Sequence, residues 1–154
     1  MTWTKKILLG LVILFIAIQF IQPARNENGQ VLPSEITKVY AIPDNVQTIF
    51  RNSCYDCHSN NTHYPWYAKI QPGGWWLASH IREGKDELNF STFGDYSTRR
   101  QKSKLKSIVN SIQDDEMPLK SYLLLHPKAK LSDEEKLALI NWSEKIQEDL
   151  ENKN

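Results

Sequence analysis

The chain has 154 residues, room for one modest domain and a short extra segment but not for two full domains. Its 19 basic and 18 acidic residues leave a formal net charge of +1, so bulk electrostatics directs it to neither nucleic acid nor an acidic partner. Only two cysteines occur, close together, which excludes a disulfide-stapled secreted scaffold and gives both thiols a local task.

In chain order, Lys5 and Lys6 precede an apolar run from Ile7 to Ile21, broken only by Gly10 and Gln19. Fifteen helical residues rise about 22 Å, short of the roughly 30 Å hydrocarbon core, and Trp3 and Thr4 narrow the gap. A run with no polar face is not a core helix. Two readings stand: a cleaved secretory signal or an uncleaved signal-anchor over residues 1–21. Gln22-Pro23-Ala24-Arg25 offers no small-x-small cleavage site, which favours the anchor. Two lysines before the run against Arg25 after it favour a cytoplasmic N-terminus. The protein is then expected in the cytoplasmic membrane as a single-pass chain, its C-terminal part facing the periplasm or extracytoplasmic space.

Residues 22–43 read as a flexible tether, with Asn26, Asn28, Gly29, Pro33 and Pro43 and weak periodicity; Lys38 to Ile42 adds a short extended piece. A domain is expected over 44–150. Its first helix starts at Asp44 or Asn45 and carries Val46, Ile49 and Phe50 at helical spacing into Cys54. Turn formers Ser59 to Thr62 follow, then the aromatic stretch Tyr64 to Tyr67. Pro72-Gly73-Gly74 precedes a second helix, Trp75 to Glu83, which Gly84 is expected to end. A third helix, Thr98 to Gln113, has Leu105, Ile108, Val109 and Ile112 in one stripe. The last, from Ser132 to Leu150, opens on a Ser132/Glu135 capping box and buries Leu139, Trp142, Ile146 and Leu150. No strand alternation appears, so the fold class is all-α.

The run Cys54-Tyr55-Asp56-Cys57-His58 is the C-x-x-C-H attachment signature of c-type haem. Two thiols three residues apart can each join one porphyrin vinyl group, and the next residue then offers an imidazole beneath the iron. A structural zinc site needs about four ligands, and no further cysteine exists. A thioredoxin-like pair wants a βαβ context. A plain disulfide remains the third competitor, but the export signal favours one covalent haem c, with His58 as proximal ligand.

For the distal position, Met117 lies in Asp114-Asp115-Glu116-Met117-Pro118, in an acidic turn beside proline rather than on an apolar stripe. A thioether there raises the reduction potential relative to a second imidazole. Its rival is His80, on the same face of the second helix as Trp76 and Leu77. His63 and His126 are weaker candidates, and an open sixth position is the remaining alternative. Tyr55, Trp66, Tyr67, Trp75, Trp76 and Tyr122 are candidates to wall the haem. Arg99, Arg100, Lys102, Lys104 and Lys106 put five positive charges at the start of the third helix, against the macrodipole preference for acids there. A docking surface for an acidic redox partner or for anionic lipid accounts for them, as does a merely solvated face.

Ser53-Cys54-Tyr55-Asp56-Cys57-His58-Ser59-Asn60, Tyr64-Pro65-Trp66-Tyr67, Trp75-Trp76-Leu77, Leu88-Asn89-Phe90-Ser91, Met117-Pro118, Tyr122, His126-Pro127 and Leu131-Ser132 resemble the small haem-binding domain family of bacterial membrane-anchored proteins. The resemblance spans roughly residues 40 to 147 and implies a cytochrome c-like haem domain facing the periplasm. The expected function is a membrane-anchored monohaem electron carrier, not an enzyme. The alternatives are a haem-based ligand sensor or small peroxidase with a displaceable distal ligand, and an assembly module stapled by haem.

Overall fold

The computed structural model describes residues 2–152; Met1, the first residue of the expected anchor, lies outside them. The described chain is helical, with one isolated antiparallel bridge, Glu27 to Asn61, and no strand. Its α-helices are α1 (Trp3–Ile18), α2 (Ile36–Val39), α3 (Asp44–Ser53), α4 (Tyr55–His58), α5 (Gly73–Glu87), α6 (Thr98–Gln113), α7 (Lys120–Leu123) and α8 (Asp133–Glu151). Short 3-10 turns cover Trp66–Lys69, Phe90–Asp95 and Pro127–Ala129.

Both long C-terminal helices follow from their periodicity. Ser132 caps α8 by accepting from the Glu135 N–H, and the Glu135 carboxylate accepts from the Ser132 N–H, so two orphan donors are satisfied reciprocally. The apolar stripes of α6 and α8 face each other, and α3 lies across α8. Phe50 fills the centre of the resulting core. It is fully buried, with Phe90 at 4.7 Å, Trp142 edge-on at 5.5 Å and Tyr55 at 5.7 Å between ring centroids.

Two expectations change. Residues 22–43, read as a flexible tether, carry many contacts to the domain. Ile36 is fully buried in the main core, and α2 occupies part of the stretch expected to be extended. Asn26 works as a four-way clip: its N–H donates to the Tyr64 hydroxyl (2.8 Å) and its amide nitrogen donates to Ser59 O (2.8 Å) and Thr62 Oγ1 (2.9 Å). Its amide oxygen accepts from Lys85 Nζ (2.6 Å). The segment is thus held by the buried Ile36 and by side-chain hydrogen bonds, and the latter leave no periodicity to read.

The second change concerns the anchor. Among the described residues no helix is long and apolar enough to cross a membrane. The 16 residues of α1 rise about 24 Å, and none of its residues is buried. Past the end of the helix, Gln19 Nε2 donates back to Phe15 O and outward to Gln71 O of the domain.

The basic run on α6 is also tamed by tertiary pairing. Lys102 meets Glu151 at 2.8 Å, Lys104 meets Glu87 at 3.4 Å, and the Arg100 guanidinium lies 4.5 Å from the Tyr96 ring centroid. The macrodipole argument sees one helix at a time and misses these partners.

Candidate functional site

At the C-terminal end of α3, Cys54 leaves helical geometry (φ −127°, ψ −46°) and the single turn α4 begins. The amides of Cys57 and His58 both reach Cys54 O, at 3.2 and 3.0 Å, which fixes the two thiols and the imidazole around one turn. Helix α5 packs directly on that turn. A Cβ on Gly84 would lie 2.9 Å from Cys57 O and 3.3 Å from Cys57 Cβ, so only glycine lets the α5 backbone come so close. This corrects the expectation that Gly84 ends the helix: α5 continues through it to Glu87.

That close approach holds His58. Its Nδ1 lies 2.8 Å from Gly84 O and 3.0 Å from Leu88 O. Both partners are carbonyls that only accept, so Nδ1 carries the proton and Nε2 keeps its lone pair. Burial pushes the His58 pKa down, against a smaller opposing effect of the two backbone acceptors, and the ring is neutral near pH 7. A neutral imidazole, oriented through its other nitrogen by backbone carbonyls, is what a metal-ligating histidine requires.

Two cavities adjoin this ring, of about 250 and 270 Å3. The first is apolar, walled by Phe50, Leu88, Phe90, Ile108 and Leu139, and takes in Cys54. The second takes in Cys57, His80, Asp56 and Tyr122. His58 and Met117 line both. The fold therefore gathers Cys54, Cys57, His58, Met117 and His80 around two cavities that share His58 and Met117. Met117 sits on the turn after α6, its N–H and that of Glu116 both donating to Ser111 O, and its side chain is 37% exposed. The turn is pinned to α8 by Asp115 and Lys136, 2.5 Å apart. His80 Nδ1 lies 2.9 Å from Trp76 O, one turn back, which leaves Nε2 as the ring nitrogen not engaged by that carbonyl.

Of the aromatic candidates, only Tyr122 lines these cavities. Tyr55 stacks into the core against Phe50, and Trp66 is 76% exposed. The walls are instead Phe50 and Phe90, which the periodicity marked as core or left unassigned. Also unread was Asp56: one carboxylate oxygen accepts from the Tyr122 hydroxyl at 2.8 Å and the other from the His63 N–H at 2.9 Å. Burial and the Asp56 charge push the Tyr122 phenol far up, so it stays a hydrogen-bond donor. Its ring stacks on His126 at 4.1 Å, whose Nε2 meets the Tyr67 hydroxyl at 2.9 Å. His63 and His126 thus serve the scaffold and do not line the cavities.

Both thiols are free. Burial, then Cys57, pushes the Cys54 thiol up to about 12; burial, then Asp56, pushes Cys57 up to about 11. Because these thiols ionise in the unfolded chain first, the folded haem-free protein binds more protons above pH 9.0, and stability must fall as pH rises from there towards 11. Denaturant titrations of the haem-free protein between pH 8 and 11 check this; a flat profile contradicts it.

Among the described residues, no group of three or more His, Cys, Asp or Glu could hold a bare metal ion. The donor set suits haem, whose iron already has four porphyrin nitrogens and needs only axial ligands and a flat apolar slot. A family model described as a haem-binding domain matches residues 13–145. That match reaches into α1 and takes in the whole stretch expected as a tether. No curated protein and no solved structure matches the chain.

Proposed function

The chain belongs to the haem-binding domain family, and from that premise we propose that it is a membrane-anchored, extracytoplasmic c-type cytochrome with one covalent haem, carrying electrons. The observation that carries this reading is His58 held through Nδ1 with Nε2 free, sharing one cavity with the free thiol of Cys54 and an adjoining one with that of Cys57, both also lined by Met117. Cys54 and Cys57 supply the thioether sulfurs, His58 the proximal ligand and Met117 the distal one, with His80 as the alternative. Bound haem supplies a one-electron iron couple. The residues around it do the rest: Phe50, Phe90 and Leu139 keep water from one side, and Asp56 fixes Tyr122 at the other.

Anchoring is supported by α1, apolar all round from Ile7 onward and with no residue buried against the domain. A cleaved signal would leave the same domain outside the cytoplasm. A redox partner is proposed to dock at Arg99–Lys106, where Arg99 and Lys106 are the cations of the run not engaged by Glu87, Glu151 or Tyr96.

Oxidised and reduced absorption spectra of the matured protein test the ligand set. The parent is expected to show a sulfur-to-iron charge-transfer band that Met117→Ala abolishes, while His80→Ala leaves it intact. A shift in His80→Ala alone reverses the assignment. The exposure of Met117 favours a second reading, a ligand sensor or small peroxidase with a displaceable distal ligand. Rapid carbon monoxide binding by the reduced parent would favour it, and a reversible redox titration without carbon monoxide binding would favour the carrier.

A further inference from the structure

The end of α1 is clasped to the domain. Gln71 is fully buried, and its N–H donates to Gln19 Oε1 at 2.8 Å while its carbonyl accepts from Gln19 Nε2 at 3.2 Å. Its side chain donates to Gln22 Oε1 at 3.0 Å and accepts from the Trp75 N–H at 2.9 Å. Gln22 Nε2 in turn donates to Lys69 O at 3.2 Å, and Trp75 Nε1 donates to Ile21 O at 2.8 Å. The clasp is built closely: a Cβ on Gly74 would lie 2.4 Å from Ala68 O and 2.8 Å from Gln71 Nε2, so glycine is required where α5 begins. An interlocked pair of amides of this kind fixes the direction in which the apolar helix leaves the domain.

The surface around that exit carries the exposed tryptophans of the domain. Trp66 is 76% exposed, Trp76 44% and Ile70 43%, and the adjoining Phe20 is 84% exposed. No acidic residue occurs before Glu27 or between Asp56 and Glu83, while Lys69 and Arg82 lie in the second interval. Exposed tryptophans beside a cation, without acids, at the mouth of an apolar helix have the chemistry of the headgroup layer. The length of α1 points the same way. A helix of about 24 Å in a core of about 30 Å draws whatever is fixed to its end down to the interface.

We infer that the face made by the 3-10 turn Trp66–Lys69, Ile70 and the first turn of α5 is a bilayer-docking surface, held on the membrane in one orientation by the Gln19–Gln22–Gln71 clasp. The inference rests on the anchored reading of α1 given above. It replaces a swinging head by a fixed one. Trp76, whose ring lies 4.2 Å from that of His80, then sets the cavity lined by His80 about one helical turn, or about 6 Å, from the lipid surface.

Nitroxide labels at Lys69→Cys and Ile70→Cys, with Leu137→Cys on α8 as reference, test this in the full-length haem-loaded protein. The protein is reconstituted in vesicles of phosphatidylcholine and phosphatidylglycerol, with the unsubstituted protein labelled in parallel as background. Labels at 69 and 70 are expected to be several-fold less accessible to an aqueous nickel chelate, and more accessible to oxygen, than the label at 137. Adding Gln19→Ala and Gln22→Ala is expected to return them to the accessibility of the reference. Protein that floats with the vesicles but shows three equally wet labels overturns the docking surface and spares the anchor. Protein that does not float overturns both. Dry labels that survive the glutamine substitutions overturn the clasp as the orienting device.

Discussion

Phe50→Ala is expected to lower the stability of the haem-free domain by about 3–5 kcal/mol, the cost of a large aromatic deleted from a site that cannot close around the gap. Three features place it at the upper end of core truncations. Phe50 is fully buried, it touches Tyr55, Phe90 and Trp142 at once, and it also forms a wall of the 250 Å3 cavity beside His58. Its loss would merge a new void with space already there, so neighbours on α8 and the Phe90–Asp95 turn have nothing to relax against. The residue lies one turn before Cys54, whose N–H donates to Phe50 O at 3.0 Å, so the damage reaches the attachment site through the backbone. Urea titrations at unchanged slope measure the effect. Leu137→Ala, at a position 58% exposed on α8, is the control and is expected within about 0.5 kcal/mol of the parent. A Phe50→Ala loss below about 1 kcal/mol would mean that the aromatic cluster is not where the stability lies.

The same residue shows what a sequence makes legible. Val46, Ile49 and Phe50 announce their burial by spacing, as do Leu105, Val109 and Ile112 on α6 and Leu139, Trp142 and Ile146 on α8. Side-chain periodicity is a property of one helix and its solvent, so it survives in the one-dimensional record. Contacts between elements do not. Gly84 reads as a helix stop by local rules, yet its place is dictated by Cys57 on another turn. Asn26 reads as part of a tether and Gln71 carries no signal, yet each joins segments dozens of residues apart. At the site, Cys54, Cys57, His58 and Met117 were candidates by residue type, and the fold brings them to the same pair of cavities. The acceptors that orient His58 are the backbone carbonyls of Gly84 and Leu88, which any residue possesses and no sequence marks.

Cys54→Ser combined with Cys57→Ser is expected to take covalently held haem from one per chain to none, while each single substitution retains one thioether bond. The reasoning starts from what the double variant keeps. His58 stays clamped on Gly84 O and Leu88 O, and the walls formed by Phe50, Phe90 and Leu139 are untouched. The variant therefore still offers an axial nitrogen and an apolar slot, and haem added to it is expected to bind without a bond to the chain. Denaturation separates the two states: haem is expected to travel with the parent polypeptide on a denaturing gel and to be lost from the double variant. The single variants should also differ. In the haem-free protein the Cys57 thiol is displaced less than that of Cys54, about 11 against about 12, and it lines the cavity that holds Asp56 and Tyr122. Cys57 is therefore expected to be alkylated faster than Cys54 above pH 9, because the thiolate is the reacting form. Covalent haem persisting in the double variant would move the attachment elsewhere. A parent that releases all its haem on denaturation would keep the family assignment and remove the c-type bond, leaving His58 alone to hold the iron from below.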